Sequence, residues 1–175
     1  MSAASEAPRP GDVALAAGRR RLHYSARMRA TLLLVIAGVV VVLDQASKIL
    51  ARSTIESGDY IGLVPGFGLT RVRNEGIAFG LFPGRPELVA ALTVVALIAI
   101  GIAVARTARR SLAVAIGGGM LIGGSLGNLI DRVARGGVTD FLDPVAWPAF
   151  NAADVGIVCG VALIVLGLTF FDGEG

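Results

Sequence analysis

The chain has 175 residues, 54% hydrophobic and only 17% charged, with a mean hydropathy of +0.74. That excludes an ordinary water-soluble domain and points to one compact integral membrane domain. A net charge of +3 and a pI near 9.7 do not argue for nucleic acid, because the basic residues sit in patches beside apolar runs, where membrane orientation accounts for them.

A helix needs about 20 residues to cross the hydrocarbon layer. Four stretches are long and apolar enough, at residues 30–50, 88–105, 112–130 and 155–171. Ahead of them, residues 1–28 read as a disordered basic cytoplasmic tail, Ala-, Ser-, Pro- and Gly-rich at first and then carrying Arg19, Arg20, Arg21 and Arg27. Arginines before an apolar run also mark secretory signals. Here no small-residue cleavage site follows, and the run ends instead in Asp44, Gln45, Ala46, Ser47 and Lys48, so a retained first span is expected. Asp44 and Lys48 are four apart and share a helical face, where spacing alone reads as a boundary ion pair.

Residues 53–87 form a polar excursion broken by Gly58, Gly62, Pro65, Gly66 and Gly68. Weak alternation over residues 67–72 predicts one or two short strands. Asn74, Glu75, Gly76, Ile77, Ala78, Phe79 and Gly80 follow, either as a turn into an interfacial helix or as a substrate-facing loop and lid. After the second span, Arg106, Arg109 and Arg110 repeat the basic patch. By the positive-inside rule both patches face the cytoplasm, with both termini inside and residues 53–87 and 131–154 outside.

Gly119, Gly123 and Gly127 give the third span a face along which a neighbouring helix can pack closely. Asn128, Asp131 and Arg132 extend from one face at its outer end. In residues 131–154, Pro144 and Pro148 rule out a continuous helix and Trp147 suits the headgroup layer. Asp140 follows the third span and Asp154 opens the fourth, so antiparallel neighbours would bring both to one interface, with Asn151 one helical turn from Asp154. Ionisable groups at membrane depth are costly and mark function. Two close carboxylates share a proton, one acting as base and the other as acid, and can activate water without a metal or cofactor. Asp154 at a helix N-terminus would favour its ionised form, leaving Asp140 to hold the proton. Spacing alone leaves open a plainer assignment: Asp154 as an N-cap and Asp140 as a loop carboxylate. His23 is the only histidine, which excludes a Ser-His-Asp triad and a His-based metal site; Cys159, the single cysteine, reads as a small buried side chain.

Five blocks in order then resemble one family: DQASK at 44–48, NEGIAFG at 74–80, GGSLGNLIDR at 123–132, GGVTDF at 136–141 and FNAAD at 150–154. The chain resembles the bacterial lipoprotein signal peptidases, or signal peptidase II. The resemblance implies a membrane all-α fold of four transmembrane helices with a small extracytoplasmic β element, in the bacterial cytoplasmic membrane. It also implies an aspartic endopeptidase that cuts diacylglyceryl-modified prolipoproteins just before the lipidated cysteine. It assigns Asp140 and Asp154 as the catalytic pair, and Asp44, Lys48, Asn74, Gly76, Asn128, Asp131, Arg132 and Asn151 as substrate-site or supporting residues. On the resemblance, Asp44 moves from boundary pair to supporting residue. Thr139, where the family pattern is usually aliphatic, and Ala152, where it is usually larger, depart mildly from it. A proton-relaying transporter is the rival reading, but it expects ionisable residues mid-span, and the second and fourth spans have none there. A GxGD-type intramembrane protease does not fit the residues before Asp140, and a non-catalytic scaffold leaves paired aspartates without a use.

Overall fold

The computed structural model describes residues 25–76, 85–108 and 111–170. The tail arginines 19–21, His23, the loop residues 77–80 with Phe79, and Arg109 and Arg110 lie outside the described residues.

Among the described residues four helices carry the fold: α1 Ala26–Thr54, α2 Pro86–Thr107, α3 Leu112–Arg135 and α4 Ala152–Phe170. All four are long and apolar enough to cross a membrane, so this is a multi-pass membrane protein. Their ends follow local chemistry. Ser25 and Ser111 accept the Met28 and Val114 N–H groups and so start α1 and α3. Gly136, at φ +68, ends α3 by donating its N–H to the Arg132 carbonyl in a left-handed cap that a side chain would strain. α3 therefore runs past its apolar stretch, and Asp131 and Arg132 sit on helix rather than loop.

α3 is the central helix: 56% of its spanning window is buried, against 6% to 22% for the others. Glycines allow this. A Cβ on Gly119 would meet the Leu33 carbonyl at 2.6 Å and one on Gly123 the Ala37 carbonyl at 2.6 Å, so this face lies against α1. A second face packs on α4, where a Cβ on Gly117 or on Gly160 would meet the other's carbonyl oxygen at 2.6 Å. Along α1, α2 and α4, large apolar side chains such as Leu34, Val42, Val95, Ile98, Val161 and Val165 point outward. In water such surfaces would aggregate; here they face the hydrocarbon.

Three strands, β1 Tyr60–Val64, β2 Phe67–Asn74 and β3 Val138–Asp143, form an antiparallel sheet in the order β1-β2-β3. The weak alternation at 67–72 is β2. β1 and β3 were not separately legible. Pro65 and Gly66, the latter at φ +80, supply the turn between β1 and β2. Between β2 and β3, Asn74 opposes Val138 and Val72 opposes Asp140. The chain then turns back through an isolated bridge in which Phe150 pairs with Leu142. That return brings Asn151 beside Asp140 and launches α4 at the next residue.

Candidate active site

The start of α4 is built from a reciprocal cap. The Asn151 side chain accepts the Asp154 N–H at 3.2 Å, while Asp154 Oδ2 accepts the Asn151 N–H at 3.1 Å. This is a capping box with Asn151 as N-cap and Asp154 three residues on. The N-cap role considered for Asp154 thus belongs to Asn151. Capping occupies Asp154 Oδ2 and leaves Oδ1 to accept from Asn128 Nδ2 at 2.9 Å.

Asp140 comes from β3 and is 3% exposed. Asn151 Nδ2 donates to its Oδ1 at 2.6 Å, and Asn74 Nδ2, arriving from the end of β2, donates to its Oδ2 at 3.0 Å. Asn151 therefore donates to both carboxylates, from its side-chain amide to Asp140 and from its backbone N–H to Asp154, while its Oδ1 accepts the Asp154 backbone N–H. Asp140, Asp154, Asn74, Asn128, Arg132 and Asn151 all line one cavity of about 480 Å³, walled also by Thr93, Ile157 and Val158. Burial pushes the Asp140 carboxyl up to about 6; the bonds from Asn151 and Asn74 pull it down, the Asp154 charge pushes it further up, and Lys48 lowers it.

Other residues singled out in the sequence lie around this cavity. Arg132 donates from Nη2 to the Gly76 carbonyl at 3.0 Å, tying the turn after β2 to α3. Gly76 N–H in turn bonds the Asn74 side chain at 3.0 Å, which aims the Asn74 amide at Asp140. Asp44, Lys48 and Asp131 are fully buried behind the cavity rather than in it. Lys48 Nζ lies 2.9 Å from Asp44 and 3.5 Å from Asp131, and it donates to Asn128 Oδ1 at 2.8 Å. Asp131 Oδ2 accepts the Thr139 N–H at 3.1 Å, bracing β3. Buried charges need such partners, since an isolated one costs several kcal/mol.

The sequence alone assigns no role to Arg52, Gln45 or Thr139. Arg52 Nη1 donates to Thr139 Oγ1 at 3.0 Å and stands 3.8 Å from Asp131. Gln45 Nε2 bridges Asp44 Oδ2 and the Gly127 carbonyl, each at 3.1 Å. Arg52 had a signal: it is four residues beyond Lys48, on the same helical face as Asp44.

A family model described as signal peptidase (SPase) II matches residues 36–170, most of the chain. The chain belongs to the signal peptidase II family. It is 42% identical over 135 residues to a lipoprotein signal peptidase of Halothermothrix orenii, a match covering 77% of this chain and 92% of that one. Against the lipoprotein signal peptidase of Rhodococcus jostii it is 44% identical over 157 residues, covering 84% and 77%. A solved bacterial membrane enzyme, determined by the in meso method at 2.3 Å, superposes with a TM-score of 0.73 at 33% identity over 82% of this chain and 92% of that one. Signal peptidase II is a family of aspartic endopeptidases, so the chain is an enzyme of that class. The four spans and the small sheet agree with the fold the resemblance implies.

Proposed function

We propose that this signal peptidase II removes signal peptides from diacylglyceryl-modified prolipoproteins by water attack driven by Asp140 and Asp154. Support comes from one observation: two carboxylates on different elements line the same cavity and both accept from one residue, Asn151, Asp140 from its side chain and Asp154 from its backbone N–H. Asp154, accepting two donors and lying in the first turn of α4, is the base. Asp140, buried and pushed up to about 6, holds the shared proton.

The base takes a proton from water as its oxygen attacks the carbonyl carbon before the lipidated cysteine. The acid gives its proton to the carbonyl oxygen. Collapse of the resulting gem-diol returns one hydroxyl proton to Asp140 and breaks the C–N bond, while the proton Asp154 took from water goes to the leaving nitrogen, so the pair ends as it began. Asn74, Asn128 and Arg132 present donors toward the cavity to orient the peptide, and Gly76 with Arg132 fixes the turn beside it. The apolar wall of Ile157 and Val158 is where the lipid-bearing end rests. We place this end of the bundle on the extracytoplasmic face, with both termini in the cytoplasm.

Prolipoprotein cleavage by Asp140→Asn and Asp154→Asn enzymes, purified and shown to be folded, tests the reading. Each is expected to lose about 10²- to 10⁴-fold in rate. Near-normal cleavage by either variant removes the two-aspartate mechanism.

A further inference from the structure

α1 contributes no lining residue to the cavity, yet three of its side chains reach the elements that hold the acids. Asp44, Lys48 and Arg52 follow at four-residue intervals along one face. Each grips a different partner. Asp44 Oδ1 accepts the Ala153 N–H at 2.9 Å, one residue before Asp154. Lys48 Nζ holds Asn128 Oδ1 at 2.8 Å, and Asn128 Nδ2 holds Asp154 Oδ1 at 2.9 Å. An ammonium only donates and a carboxylate only accepts, so Lys48 and Asp154 together leave the Asn128 amide one orientation. Arg52 Nη1 holds Thr139 Oγ1 at 3.0 Å, one residue before Asp140.

Strand geometry makes the third grip matter. Successive side chains of β3 point to opposite faces, so pinning the Thr139 hydroxyl to the bundle presents Asp140 to the cavity. Thr139 is held twice, by Arg52 at its hydroxyl and by Asp131 at its N–H, 3.1 Å away. The charges around this face alternate: Asp44 and Asp131 flank Lys48, and Arg52 and Arg135 approach Asp131 from the other side at 3.8 and 3.0 Å.

We propose that this face of α1 is a positioning element for the acid pair, and that Arg52 is a positioning residue acting on Asp140 through the Thr139 hydroxyl. The proposal rests on the reading of Asp140 and Asp154 as the reacting pair. Thr139→Val keeps the β-branched shape and removes the hydroxyl; Thr139→Ser keeps the hydroxyl; Arg52→Met removes the donor.

Rates of prolipoprotein cleavage are measured on the full-length enzyme in lipid and normalised to folded protein. Thr139→Val and Arg52→Met are each expected to lower kcat about five- to tenfold with KM within about twofold, as for loss of one hydrogen bond. The double variant is expected to be no slower than the slower single, and Thr139→Ser to retain most of the activity. A Thr139→Val enzyme with wild-type kcat overturns the proposal. So do losses that multiply in the double variant. Should Arg52→Met fail to fold, Thr139→Val against Thr139→Ser decides alone. Asp140→Asn in the same assay separates the two readings: if it cleaves normally, the acid pair falls and Arg52's role with it. If it is inactive while Thr139→Val is unimpaired, only the role of Arg52 falls.

Discussion

At the scale of single residues, the balance on Asp140 is the most testable quantity. Burial raises its carboxyl to about 6 against the pull of the Asn151 and Asn74 amides. Removing a donor to the ionised form raises it further, so the protonated acid survives to higher pH. In an Asn74→Ala enzyme the alkaline limb of kcat against pH is therefore expected to move up, on the order of half a pH unit for one hydrogen bond. A limb that stays in place or moves down contradicts the assignment of the proton to Asp140. The two aspartates were legible in the sequence because carboxylates beside apolar spans stand out. Arg52 and Thr139 were not, because each looks ordinary alone: an arginine near a helix end and a threonine in a strand. Their meaning lies in a contact between residues 87 apart in the chain.

At the scale of elements, the helices were legible from apolar run length, while their ends were set by chemistry that hydropathy does not register. α3 continues to Arg135 because Gly136 caps it, and α4 begins at Ala152 because Asn151 and Asp154 cap each other. β3 escaped notice because it is short and buried at Val138 to Phe141, with no alternation to reveal it. Its pairing partner β2 lies on the far side of two helices in sequence. The glycine spacing on α3 predicted close packing but not which helix would use it. Gly160→Ala places a methyl 2.6 Å from the Gly117 carbonyl, and Gly123→Ala one 2.6 Å from the Ala37 carbonyl, backbone that cannot step aside. Each is expected to cost about 1–3 kcal/mol, read as a lower thermal midpoint in detergent. Gly101→Ala meets nothing within 4 Å and is expected to leave the midpoint unchanged or raise it.

At the scale of the whole molecule, the basic residues at the start of α1 and the end of α2 are the ground for the orientation proposed above, and this too can be measured. In a Cys159→Ser background, Tyr60→Cys is expected to react with an impermeant thiol reagent on intact cells, and Arg106→Cys only after permeabilisation. The reverse pattern inverts the topology. One feature of the bundle carries further. α2 packs chiefly on α3, and among the described residues it scarcely meets α4, though both wall the cavity. On the proposed function we expect the gap between them to open to the bilayer. The proposed substrate, tethered by its acyl chains, would then arrive by two-dimensional diffusion and need not desorb. Turnover should accordingly track the mole fraction of substrate in the bilayer, falling when inert phospholipid is added at constant bulk concentration: surface dilution would act on this enzyme as ordinary dilution acts on a soluble one.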